Sequence, residues 1–282
     1  MSTLREKRKK ERRALRRRKT ADWTVVLILC AIAVCCGGYL IYHHWSVKQR
    51  ELEYEKLRQE ETLSAATETV IAEPETEEST EEAVIYCDPV YDFEQLQEQN
   101  EDIYAWIVVP GTQVDYPLLQ SGTDNYYLDY NLDHSKGYPG CIYTNQCNRK
   151  DFSDYNTVLY GHNMKNGSMF GSIHSFEDET FFDGHPYIYV YTENERLTYE
   201  IYETAKFTDV YIPSEYVVSS KDDRDQFLAD VREKVSDNKL HVREDMQIGE
   251  DDRLITLSTC VNGERNHRYL VIGVLVETAV YR

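Results

Sequence analysis

The chain opens on charge, turns wholly apolar, turns acidic, and only then takes up the short alternating runs of a folded domain. From Trp23 to Tyr42, twenty residues (WTVVLILCAIAVCCGGYLIY) carry no charge. At ~1.5 Å rise per residue a helix of that length spans about 30 Å, the thickness of bilayer hydrocarbon. The pattern therefore predicts one transmembrane helix over 23–42, with Trp23, Tyr39 and Tyr42 at its ends, where amphipathic rings favour the interface. A cleaved signal peptide is the alternative, but the run is longer than the usual ~7–15 residue apolar core.

Residues 43–88 are rich in Glu and Thr and poor in large apolar side chains, a composition that buries too little to offset its ordering entropy. They predict an acidic spacer, helical to about Thr62 and disordered beyond. Ordered sequence begins near Pro89. Phe93, Leu96 and Ile103 recur at helical spacing, predicting a packing helix over 91–103. The period then changes. Runs at 105–111, 114–120, 140–144, 157–163, 187–192 and 196–212 are short, β-branched or aromatic, and separated by Gly, Pro, Asn and Asp. With two more at 253–259 and 269–276 they make about eight strands, a mainly β fold closed as a barrel. Two helices interrupt the strands. One lies at 168–176; the other, at 222–235, gathers Phe227, Leu228, Val231 and Val235 on one face behind an acidic first turn.

Charge adds a direction to this layout. Residues 1–20 hold eleven Lys or Arg against two Glu, a net +9; with −19 over the whole chain, the remainder carries −28. A basic arm directly before an apolar span orients the span, fixing residues 1–22 in the cytoplasm and the rest outside. It implies no nucleic-acid partner. Of the seven cysteines, Cys30, Cys35 and Cys36 fall in the span and Cys87, Cys141, Cys147 and Cys260 outside it, where disulfides are permitted. Cys141 and Cys147 are near enough in sequence to pair, but no disulfide framework and no metal-ligand spacing is evident.

The candidate chemistry lies in 253–278, RLITLSTCVNGERNHRYLVIGVLVET, where two apolar runs flank Cys260 and a polar connection containing Asn262-Gly263. Arg268 opens the second run, so a thiol and a guanidinium meet at the ends of adjacent strands. A free cysteine at a strand end is also, more simply, a small apolar filler. A cysteine nucleophile needs a histidine partner brought in from elsewhere. Of eight histidines, His43 and His44 border the span, and His134, His174, His185, His241 and His267 sit in polar or helical context. His162 alone ends an apolar strand directly after a glycine, in TVLYGHNM.

YGHNMKNGSMFG at 160–171, TLSTC at 256–260 and the arginine opening the last strand closely resemble the sortases, membrane-anchored cysteine transpeptidases of Gram-positive surfaces, and class B most of all. The resemblance covers 89–282. WIVVPGTQVDYPLLQ resembles the first two strands of that family, and the helix at 222–235 falls where class B members carry one between strands six and seven. The implied fold is an eight-stranded sortase-like β-barrel with peripheral helices and one preceding transmembrane helix. The resemblance assigns His162 as general acid/base, Cys260 as nucleophile and Arg268 as the group that holds substrate and stabilises the oxyanion. Ser258, Thr259 and Tyr216 are lesser candidates for substrate contact, Tyr216 because 211–220 leads into the inserted helix as a groove wall. The implied partners are C-terminal sorting-motif peptides of secreted proteins and an amine acceptor on peptidoglycan precursor or pilin; the implied chemistry needs no metal or organic cofactor. Val261 departs from the pattern, since some class B members have an acidic residue there. Arg265, three residues before Arg268, reads as a solvated loop residue. A hydrolytic cysteine protease and a non-catalytic bitopic scaffold are the competing readings.

Overall fold

The computed structural model describes residues 2–65, 85–235 and 239–282. They divide into two compact units, Met1–Leu52 and Glu53–Arg282. The first is formed by helix α1 (Ser2–Ala65) as far as Leu52, and Val26–Gln59 of this helix includes a window long and apolar enough to cross a membrane. The helix continues to Ala65, three residues beyond the expected end; the remainder of the expected disordered spacer, 66–84, lies outside the described residues.

The second unit begins within the last part of α1, earlier than the boundary at 89 that composition suggested. Tyr54 and Leu57 are buried here, and the Tyr54 hydroxyl donates to the Gly140 carbonyl at 3.2 Å. Arg58 Nε donates to the Asp115 carbonyl at 2.8 Å, and its guanidinium lies 4.7 Å over the Tyr116 ring. A helix end that composition marks as solvated is thus seated on the folded domain by one aromatic, one leucine and one arginine.

After β1 (Ile85–Cys87) comes α2 (Phe93–Gln99), capped by Asp92, whose side chain accepts from the Gln95 amide at 3.1 Å. It is shorter than the pattern predicts, because Ile103 begins β2 (Ile103–Val108) instead of closing the helix. There follow β3 (Asp115–Leu119), α3 (Tyr126–Asp129), β4 (Ile142–Thr144), β5 (Asn156–Tyr160), a 3-10 helix (Gly171–Glu177) in place of the helix read at 168–176, α4 (Glu179–Gly184), β6 (Tyr187–Tyr191) and β7 (Glu195–Thr208). The chain ends with α5 (Ile212–Glu215), α6 (Lys221–Glu233), β8 (His241–Val242), β9 (Leu254–Val261) and β10 (Glu264–Tyr281).

Strands run in the order β10, β9, β5, β4, β3, β2, β6, β7, and β7 pairs back onto β10, so eight strands close a barrel and α6 falls between its sixth and seventh. β1 extends β10 and β8 extends β7. Closure leaves the barrel without a long free edge. One apolar cluster fills the interior around Trp106, Leu118, Leu159, Tyr199 and Tyr269. A second lies outside it, where α6 lays Phe227, Leu228 and Val231 against Phe207, Leu270 and Ile272. Each such side chain contributes about 1.5–3 kcal/mol by leaving water, which holds α6 against the sheet face that carries the candidate site. Ser220 caps α6 by accepting from the Asp223 amide, and the helix stops at Glu233, so Val235 is not part of its apolar face.

Candidate active site

Side-chain alternation on the last two strands decides where the candidate residues point. Ile255, Leu257, Tyr269 and Val271 belong to the interior cluster, while Leu254, Leu270 and Ile272 belong to the outer one beneath α6. With a period of two, Ser258, Cys260 and Arg268 share the outer face and Thr259 points inward. The pair stands on the outside of the barrel near the strand ends, not in its mouth.

Cys260 and Arg268 are direct partners in the β9–β10 ladder. Residues directly opposite in an antiparallel pair have Cβ atoms about 4.5–5.5 Å apart on one face. The thiol is exposed and the arginine half-buried. Arg268 lies inside β10, whose first residue is Glu264, because the strand bulges: the partner of Glu264 is Val261, and the next pair is already Arg268 with Cys260. That bulge carries Arg265 out to solvent. The Arg265 and His267 carbonyls accept from Arg268 Nη1 at 3.3 and 3.0 Å, which steers the guanidinium along its own strand end.

β5 runs parallel to β9 with Tyr160 beside Ser258. Gly161 continues the ladder, its amide donating to the Ser258 carbonyl at 3.3 Å and its carbonyl accepting from Thr259 Oγ1 at 2.8 Å. His162 follows directly, so the histidine leaves β5 at the level of Cys260. Its Nε2 lies 2.8 Å from the Leu128 carbonyl and its ring 4.7 Å from that of Tyr138. A carbonyl only accepts, so Nε2 carries a proton and Nδ1 is the nitrogen left to exchange one.

The lesser candidates fare differently. Ser258 is buried on the Cys260 face, two pairs along the ladder from the nucleophile. Thr259 is a structural tie between β9 and the glycine before His162. Tyr216 is turned into the layer under α6, its hydroxyl donating to Asp230 Oδ2 at 2.5 Å and accepting from Lys234 Nζ at 2.9 Å.

Residues that the sequence did not single out complete the surroundings. Tyr143, Tyr160 and Tyr211 form a row, with centroids 5.6 Å and 6.1 Å apart, beside Ser258 in the lateral register of β4, β5 and β9. Burial, then Tyr211, nearby aspartates and Cys260, push the Tyr143 phenol up; burial likewise pushes up Tyr160 and Tyr211. All three therefore stay protonated. The Tyr211 hydroxyl accepts from Asn145 Nδ2 at 2.8 Å. Asn163 and His174 reach the Cys260 carbonyl, at 2.7 and 3.0 Å. Asn163 follows His162 directly in sequence; His174 and the tyrosines converge from far apart in the chain and carry no local signal.

A thiol and a permanent cation in ladder register, with an imidazole at the neighbouring strand end, can form and resolve an acyl-sulfur bond. Among the described residues no group of His, Cys, Asp and Glu could hold a metal ion.

The sortase domain model matches residues 107–276. Sortase B of Listeria monocytogenes is 36% identical over 168 residues, 58% of this chain and 65% of the relative, so the match spans just under two thirds of that protein. The crystal structure of Clostridium perfringens sortase B superposes with a TM-score of 0.59 at 30% identity, over 66% of this chain and 100% of the other. Staphylococcus aureus sortase B, solved with a substrate, shares the fold at a TM-score of 0.63 and 24% identity, over 82% and 97% of the two chains. The barrel closed by β7 on β10, the helix set between its sixth and seventh strands, and these matches together show that the chain belongs to the sortase family, among its class B members.

Proposed function

We propose that this chain is a membrane-anchored cysteine transpeptidase in which Cys260 is the nucleophile, His162 the general acid/base and Arg268 the oxyanion and substrate-binding cation. The observation that carries the reading is the ladder register of Cys260 with Arg268 on the outer barrel face, level with the point where β5 delivers His162. The Cys260 thiolate attacks the carbonyl carbon of a threonine in a C-terminal sorting motif of a secreted protein. Charge develops on the carbonyl oxygen, where the fixed positive charge of Arg268 stabilises it. His162 protonates the departing amine as the tetrahedral intermediate collapses to a thioester. An amine of peptidoglycan precursor or of another surface protein then attacks the thioester, gives its proton to His162, and releases Cys260. The tyrosine row is a floor on which an extended peptide can lie.

Residues 23–42 are the anchor, with the basic arm in the cytoplasm and the barrel outside; the apolar window in α1 and the +9 of residues 1–20 support this. Anchoring keeps the enzyme where its substrates emerge. The test is product mass after incubating the chain, in detergent, with a library of sorting peptides and a panel of primary amines. Aminolysed peptide that depends on Cys260 is expected. Free acid alone, with amines abundant, would replace transfer by hydrolysis.

A further inference from the structure

The backbone around Cys260 is loosened on both sides. In a parallel ladder the carbonyls of residues i and i+2 point to the same neighbour, so the Cys260 carbonyl points to β5 as that of Ser258 does. Ser258 finds the Gly161 amide there. Cys260 finds no β5 amide, because the chain turns away after Gly161, where the His162 carbonyl accepts from the Phe170 amide at 3.0 Å. On the other side, the bulge sets residues 265–267 of β10 against a single step of β9. A nucleophile at such a frayed end needs another restraint, since a misplacement of about 1 Å can cost a reaction ~100-fold.

Two side chains fill the place of the missing ladder bond. Asn163 Nδ2 donates to the Cys260 carbonyl at 2.7 Å, and His174 Nε2 lies 3.0 Å from the same oxygen. His174 is fixed from behind: Nδ1 donates to Glu177 Oε1 at 2.8 Å, and its ring stacks on Tyr269 at 4.9 Å. Asn163 Nδ2 also lies 2.9 Å from His174 Nε2, so the two side chains and the Cys260 carbonyl meet in one cluster. Burial pushes the Glu177 carboxyl up, but Lys239 and His174 outweigh it and hold the group below its usual range, so the anchor stays ionised.

We propose that Asn163 and His174 are positioning residues that clamp the Cys260 carbonyl and so fix the nucleophile against the strand end that delivers His162. The inference rests on the transpeptidase reading for its effect on turnover. Because Asn163 adjoins His162, the clamp ties the acid/base and the nucleophile together through one side chain.

The test uses the full chain in detergent, with Asn163→Ala, His174→Ala, His174→Gln and His174→Asn. Glutamine restores a donor near Nε2, toward Cys260; asparagine restores one near Nδ1, toward Glu177. In the peptide-plus-amine assay, the two alanine variants and His174→Asn are expected to lose about 10- to 100-fold in kcat with KM little changed, and His174→Gln to recover most of it. Equal activity in the glutamine and asparagine variants, whether both intact or both impaired, would overturn the clamp. A second readout needs no sorting peptide: the rate of iodoacetamide alkylation at Cys260, followed by mass of the peptide containing it. The alanine variants and His174→Asn should depart from wild type and His174→Gln should follow it. That pattern in a wild-type chain that transfers no acyl group would uphold the clamp and refute the function; its absence in an active chain would do the reverse.

Discussion

Replacing Arg232 with methionine tests how firmly α6 is held over the face that carries the site. Glu203 on β7 is wholly buried, with Oε2 accepting from Arg232 Nε at 2.8 Å, and Oε1 without a hydrogen-bond partner. Arg232 Nη2 also donates to the Tyr202 hydroxyl at 2.6 Å. Burial pushes the Glu203 carboxyl up, and Arg232 offsets this only in part. Removing one partner of a buried pair costs about 3–5 kcal/mol. The Arg232 side chain is 37% exposed, so water already shares its charge and the expected cost falls to about 2–3 kcal/mol. For a domain of this size that lowers Tm by roughly 5–10 °C. The pH dependence has a definite sign. A carboxyl whose folded pKa is raised binds more protons in the native state, so its contribution is full below the unfolded pKa and is lost as pH rises through the folded one. Without Arg232 the folded pKa rises further, and the deficit should be large at about pH 8 and small at about pH 5. Thermal melts of the full chain in detergent, followed by circular dichroism, measure it. Arg232→Met with Glu203→Leu should recover most of the loss, because no buried charge is then left alone. A single variant within about 0.5 kcal/mol of wild type, or a double variant less stable than the single, would refute the reasoning.

Arg268→Ala should abolish transfer and Arg265→Ala should be mild, since only Arg268 stands in register with Cys260; kcat/KM for the two variants decides, and the reverse order would reject the assignment. Thr259→Val leaves the Gly161 carbonyl without its side-chain donor and should cost about 1–3 kcal/mol; denaturant titration reads this. Tyr216→Phe should lose about 1 kcal/mol of stability, with its Asp230 bond gone, and leave KM for peptide unchanged; a raised KM at wild-type stability would return Tyr216 to the groove.

The chain showed its architecture through periodicity and its chemistry through strand ends. Alternating runs located every barrel strand, because each buries one face and a one-residue slip would reverse it. Their ends were less legible: β9 and β10 extend through the region read as a loop, since Asn262-Gly263 makes a tight hairpin and the bulge absorbs the polar residues. Ile103 fitted a helical spacing by coincidence and belongs to β2. Cys260, His162 and Arg268 were visible because each adjoins an apolar run. In the sequence His174 reads only as a histidine in polar or helical context and Tyr211 only as the start of 211–220, since what brings them beside Tyr160 and Asn163 is the wrapping of the sheet. Tyr216 was placed by proximity to α6 alone, and the apolar layer beneath that helix claimed it.

The central claim is that Cys260 carries the acyl group, and the intact mass of the chain during turnover tests it most directly. With sorting peptides and no added amine, the wild-type chain should gain the mass of the acyl fragment, map it to the peptide containing Cys260, and lose it to hydroxylamine. Cys260→Ala should gain nothing. A hydroxylamine-sensitive adduct on Cys147, or transfer that survives in Cys260→Ala, would contradict the account.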